Sequence, residues 1–83
     1  MTILEQIIKH YPDIEFLSAD GFEDAIIGIS GEKLVYSINK CIDILMTKDK
    51  MSTEEAIEYF YFNVEGAYVG EKTPIWVNDE IFN

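Results

Sequence analysis

The run Tyr59-Phe60-Tyr61-Phe62 constrains this chain more than any other stretch, because it places four aromatic residues in succession. A helix turns once in about 3.6 residues, so these rings point all the way round it and no single face can bury them. Two packings satisfy the run. In the simpler one the helix is central, covered on one side by a sheet and on another by a second helix. In the other, Tyr59 or Phe62 stays in an exposed patch that meets a partner or a second copy. The chain has 83 residues, 48% of them hydrophobic, which is enough for one core and leaves no room for a second domain. Residues 1–83 therefore read as a single domain.

Local signals place the other elements. Thr2 and Glu5 have capping-box spacing, and Ile3, Leu4, Ile7, Ile8 and Tyr11 recur at helical intervals. Pro12 should stop this first helix, since the residue before proline is pushed out of the helical region. Residues 13–24 read as an acidic connector whose apolar pair, Phe16 and Leu17, folds back onto the domain. Ala25–Ile29 and Lys33–Ser37 are rich in β-branched and aromatic residues and flank Ser30-Gly31-Glu32. Gly31 can supply the positive φ of a tight hairpin turn. Ile26 and Ile27 make both faces of the first strand apolar, which predicts a central strand or one buried on both sides.

Ser37 is placed to cap a second helix, where Ile38, Cys41, Ile42, Leu45 and Met46 form the cleanest helical stripe in the chain. After Lys48-Asp49-Lys50, Ser52 and Glu55 form another capping box, with Met51 poised to pack against Ala56. The third helix should carry Ile57, Phe60, Val64, Ala67 and Tyr68 on one stripe. Gly66 would permit a close approach by a neighbouring element, and Gly70 would end the helix. Thr73-Pro74-Ile75-Trp76-Val77 reads as a last strand, and its proline suits an edge. The expected fold is α+β in the order α-β-β-α-α-β, with a short antiparallel sheet packed against the helices.

No side-chain constellation points to catalysis or to a cofactor. Cys41 falls within an apolar stripe and reads as a small buried hydrophobe. The chain has a single histidine, His10, which suits a helix C-terminus better than a metal site. Glu54, Glu55 and Glu58 gather in the first turns of the third helix, where the helix N-terminus already favours negative charge. Asp20-Gly21-Phe22-Glu23-Asp24 lacks the spacing of a calcium loop. Asn63 and Thr73 read as local structural bonds around a helix-to-strand turn, and Glu71 is left open as a contact residue.

Charge directs the functional expectation. Sixteen acidic residues face six basic ones, a net charge of −10, and all six are lysines. Without arginine the chain lacks the side chain best suited to bidentate phosphate and guanine recognition, and its acidity would repel a phosphate backbone. Direct nucleic-acid binding and anionic membranes are therefore not expected. A membrane helix is not expected either, since no apolar run approaches the ~18 residues it needs. The N-terminal residues do not resemble a secretory leader, and a lone cysteine suits a reducing cytoplasm. A protein with a basic surface is the natural electrostatic complement.

Several segments carry a resemblance. They are Phe22-Glu23-Asp24-Ala25-Ile26-Ile27-Gly28, Leu34-Val35-Tyr36, Lys40-Cys41-Ile42, Met51, Glu55-Ala56, Glu58-Tyr59-Phe60, Asn63-Val64, Gly66-Ala67-Tyr68-Val69-Gly70-Glu71 and Thr73-Pro74-Ile75. Over most of residues 22–77 the chain resembles a group of small uncharacterised proteins encoded by tailed bacteriophages. Their pattern reads like F-D-x-A-I-I-G, Y-x-x-x-K-C-I-x-I-L, E-A-x-E-Y-F-x-F-N-V and G-A-Y-V-G-E-x-T-P-I-F. Here Glu23 stands where aspartate is common and Trp76 where phenylalanine is common. The resemblance implies a phage origin and expression in the cytoplasm of a bacterial host. It carries over no catalytic residue.

The combined expectation is a non-catalytic protein that binds a host protein through an acidic surface, in host takeover or counter-defence. Its sharpest form is DNA mimicry, with Asp43, Asp49, Glu54, Glu55, Glu58 and Glu65 spaced like phosphates on one face. The rival expectation is a structural homo-oligomer built on the aromatic helix or an edge strand. Candidate contact residues are Glu54, Glu55, Glu58, Glu65, Glu71, Tyr59 and Trp76, the last because tryptophan is enriched at interface hot spots.

Overall fold

A computed structural model describes residues 2–66 and 70–79. Helix α1 (Ile3–His10) starts on the expected capping box: Thr2 Oγ1 accepts the Glu5 N–H at 3.2 Å, and the Glu5 carboxylate accepts the Thr2 N–H at 3.3 Å. It ends at Tyr11, directly before Pro12, and no α1 side chain is fully buried. Leu4 and Ile7 lean on the core while Ile3 and Ile8 remain exposed.

The connector folds back through Phe16, Ala19 and Phe22, which pack against the core, whereas Leu17, expected to fold back with Phe16, is 37% exposed. Two bonds tie it down: the Ala19 N–H donates to the Tyr36 hydroxyl oxygen at 2.7 Å, and Lys72 Nζ donates to the Glu15 carbonyl at 2.6 Å. A single 3-10 turn (Glu23–Ala25) then leads into strand β1 (Ile26–Ser30), one residue later than the sequence implies.

Strands β1 and β2 (Lys33–Ser37) form the expected hairpin. Gly31 has φ +61 while Glu32 is not in the left-handed region, the pattern of a type II′ turn. The sheet order is β1-β2-β3, so β1 is an edge and not a central strand. Pairing jumps from Ile26↔Tyr36 to Gly28↔Val35, which leaves Ile27 as the extra residue of a bulge. That kink turns Ile27 outward, 41% exposed, and corrects the expectation of a strand buried on both faces.

Strand β3 (Ile75–Val77) lies on the other side of β2, at an edge as Pro74 requires. It runs parallel to β2, with Val35↔Ile75, Tyr36↔Trp76 and Ser37↔Val77 in register, so the sheet is mixed and not purely antiparallel. The reason is topological: a long helical crossover separates the two strands and can bring the chain back to the end where β2 began.

Helix α2 (Ile38–Lys48) is capped by Ser37, whose Oγ accepts the Lys40 N–H at 3.1 Å. Ile38, Cys41 and Leu45 are buried, as the stripe predicts. Beyond its end Lys50 has φ +55, and both Asp49 and Met51 donate their N–H to the Leu45 carbonyl.

Helix α3 (Thr53–Tyr59) begins on the Ser52/Glu55 capping box and then changes character. The Phe60 N–H is shared between the Ala56 and Ile57 carbonyls, and Phe60–Glu65 continue as a π-helix. The wider turn re-phases the rings, so only Phe60 of the aromatic run is fully buried. Gly66 is the C-cap of this π-helical segment, and the residues 67–69 that lead to Gly70 lie outside the described residues. A Cβ on Gly66 would lie 3.3 Å from the Tyr61 carbonyl, so the close approach there comes from its own preceding turn. Ala67 and Tyr68, expected on the third-helix stripe, lie outside the described residues. The core is Ala25, Ile26, Leu34, Tyr36, Ile38, Cys41, Leu45, Ala56 and Phe60, between the sheet, α2 and α3. The architecture is α+β in the expected element order.

Candidate functional site

The aromatic run is only partly covered, and that decides between its two packings. Tyr59 and Tyr61 are exposed, and Phe62 is 78% exposed, the most exposed large hydrophobic side chain among the described residues. A central, fully wrapped helix is excluded. Such exposure costs about 25 cal/mol for each Å² of apolar surface left in water, so it marks a surface that gains by being covered.

Phe62 borders a groove with Met51, Glu55, Glu58, Tyr59 and Asn63. Glu55, Glu58 and Tyr59 follow i, i+3 and i+4 on one side of α3, and the π-helical segment sets Phe62 beside them. Glu55 is held at the helix start by bonds to the Ser52 backbone and side chain, and these keep its carboxyl below the usual carboxylate range. It is therefore ionised at neutral pH. No lysine contributes to this groove. Met51 forms its floor from the turn that Lys50 makes possible, and it packs against the core.

The other predicted contact residues do not join this group. Glu54 is exposed in the first turn of α3, and Glu65 is exposed at the end of the π-helical segment. Glu71 lies in two shallow depressions, one beside Glu15 and Lys72, the other beside Glu32, Lys33 and Lys72. Lysine offsets the acidic charge at both. Asp43 and Asp49 are exposed on and after α2. Carboxylates are thus carried by α1, the connector, the hairpin turn, α2 and α3, in several separate settings.

Trp76 is half-buried on the edge strand β3, with its ring packed against the core. Its ring packs 4.8 Å from Tyr36 and edge-on to Phe60 at 5.3 Å, centroid to centroid. Its Nε1–H is buried with no hydrogen-bond acceptor among the described residues. The ring also forms a wall of a second concavity, a cavity of about 270 Å³ shared with Leu17, Phe22, Asn63, Val64 and Pro74. This cavity was not legible beforehand, since it needs the connector folded against β3. The groove was half legible: helical spacing puts Glu55, Glu58 and Tyr59 on one acidic face, but Phe62 joins them through a π-helical turn that the sequence does not announce.

Cys41 is fully buried, and burial first, then the nearby Asp79 carboxylate, pushes its thiol up to about 12. A thiol so held stays protonated at neutral pH and is a poor nucleophile. Thr73 fixes the turn into β3 by donating its hydroxyl to the Gly70 carbonyl at 2.6 Å. Among the described residues, no cluster of three or more His, Cys, Asp or Glu could hold a metal ion, and no helix is long and apolar enough to cross a membrane.

Comparison with known protein families, with curated proteins and with solved structures returned no match.

Proposed function

We propose that this protein acts by binding and not by catalysis, and that its α3 groove takes a basic surface of a partner protein. The observation that carries the reading is Phe62, 78% exposed beside two carboxylates with no lysine among the groove residues. An exposed ring gains free energy when covered, and the carboxylates select what covers it: lysine or arginine attracted by charge and by the ring faces. The net charge of −10 steers a basic partner from a distance and disfavours an acidic one. The distribution of carboxylates over many elements supports a local charged groove over a row of phosphate mimics.

The resemblance to tailed-phage proteins supports a partner in a bacterial host, with the protein acting in the host cytoplasm in takeover or counter-defence. The second reading is a homo-oligomer, and Phe62 favours it too, because a second copy would also cover the ring.

The test is capture from bacterial lysate at low and high salt, using wild type, the double variant Glu55→Lys/Glu58→Lys, and Phe62→Ser. The expected result is one basic protein, released by salt and lost with either variant. Recovery of the same protein by both variants would remove the groove from the account. Sedimentation of a dimer that Phe62→Ser dissociates would establish the second reading instead.

A further inference from the structure

Resting on that reading of the α3 groove, the geometry points to a two-part ligand: an extended basic segment of the partner. It seats one bulky apolar side chain in the cavity beside Trp76 and lays a lysine or arginine against Glu55 and Glu58. Asn63 joins the two parts, because it lines both the cavity and the groove.

The cavity has the size and lining of an anchor pocket. Its volume is about 270 Å³, and Leu17, Phe22, Val64, Pro74 and Trp76 give it largely apolar walls, with Asp20 also in its lining. An apolar cavity of about 150 Å³ already holds a benzene ring, so a leucine, phenylalanine or tyrosine side chain has room. The walls are fixed before any ligand arrives. Trp76 is wedged between Tyr36 and Phe60, and the connector wall is bonded to Tyr36 through the Ala19 N–H. Little ordering entropy is then lost on binding.

The groove supplies the other half. Two carboxylates and two rings, with no competing lysine, attract a cationic side chain by charge and by the ring quadrupoles. Between the two parts, the exposed Asn63 carboxamide offers both a donor and an acceptor, the complement of a peptide's carbonyl and N–H. Each part alone is weak. An apolar anchor slows release, a charge contact speeds encounter, and the fixed distance between them sets which sequences bind.

The experiment is selection of a displayed library of short randomised peptides on the wild-type protein, followed by titration of synthetic winners. Trp76 is the single tryptophan, so its emission reports directly on the cavity. The expected winners share a bulky apolar residue and a lysine or arginine at constant spacing, and they change Trp76 emission on binding. Alanine for the apolar residue should weaken binding about tenfold or more and abolish the emission change. Alanine for the basic residue should weaken binding and flatten its salt dependence. Basic winners with no shared apolar residue, or with unchanged Trp76 emission, would overturn the two-part ligand and leave the basic-partner reading standing. Winners without basic residues, or no winners, would overturn both.

Discussion

Ser37 Oγ lies 2.9 and 2.8 Å from the two carboxylate oxygens of Asp79 and accepts the Lys40 N–H at 3.1 Å. One buried hydroxyl therefore caps α2 and holds the chain that leaves β3, two residues after the Ser37↔Val77 pair. The carboxylate sits near the positive end of α2, where the helix dipole also favours it. This contact closes the crossover that makes β3 parallel.

Ser37→Ala removes a cap and leaves Asp79 without its donor. The cap alone is worth about 1 kcal/mol and a bond to a charged group about 1.5–3 kcal/mol. The expected loss is about 2–4 kcal/mol in denaturant unfolding. A double-mutant cycle with Asp79→Ala should show coupling above about 1 kcal/mol. Additive losses would mean that the hydroxyl acts only as a cap.

Trp76→Phe removes the buried Nε1–H that has no acceptor among the described residues while keeping a ring against Tyr36 and Phe60. An unpartnered buried donor costs about 1–3 kcal/mol, which offsets the lost ring area. Stability should stay within about 1 kcal/mol of wild type, whereas Trp76→Ala should lose about 3 kcal/mol or more. A Phe variant as unstable as the Ala variant would show that the indole nitrogen is satisfied in solution.

Lys50→Gly relieves a left-handed backbone at φ +55, a conformation that costs a side-chain-bearing residue about 1–2 kcal/mol. The melting temperature should rise, by the equivalent of about 1 kcal/mol after the entropy that glycine adds to the unfolded chain. Lys50→Ala should give no such gain. Equal behaviour of the two would place the benefit in the lost charge.

Cys41 makes stability fall in alkali. Its folded thiol titrates near 12 while an unfolded cysteine titrates near 8.5, so the folded state holds the proton more tightly. The contribution is complete below about pH 8.5 and is lost as pH rises from there towards 12. Tyr36, raised chiefly by burial, acts in the same direction at higher pH. Between pH 9 and 11 the unfolding free energy should drop by about 1.4 kcal/mol per pH unit from Cys41, and Cys41→Ala should flatten that slope. A thiol reagent should label wild type at neutral pH no faster than it unfolds. Rapid labelling of the native protein would contradict the burial.

Several elements were legible because their causes are local. Thr2 with Glu5, Ser52 with Glu55, Ser37 before the α2 stripe and Gly31 in the hairpin act within a few residues of themselves. Physics over so short a span can be read from order alone. The acidic face of Glu55, Glu58 and Tyr59 was legible for the same reason, since helical spacing fixes which side chains share a side.

Tertiary structure decided what depends on partners distant in the chain. Nothing near Trp76 says that it will pair with Tyr36 across parallel strands and meet Phe60 edge-on, nor that Ile27 will be the residue expelled by a bulge. The aromatic run ruled out one buried face, but the π-helical turn and the edge-on seat of Phe60 against Trp76 are set only in the folded chain. Leaving Phe62 in water is part of the same packing. Those choices are set by competing burial energies over the whole molecule, which a sequence states only as a sum.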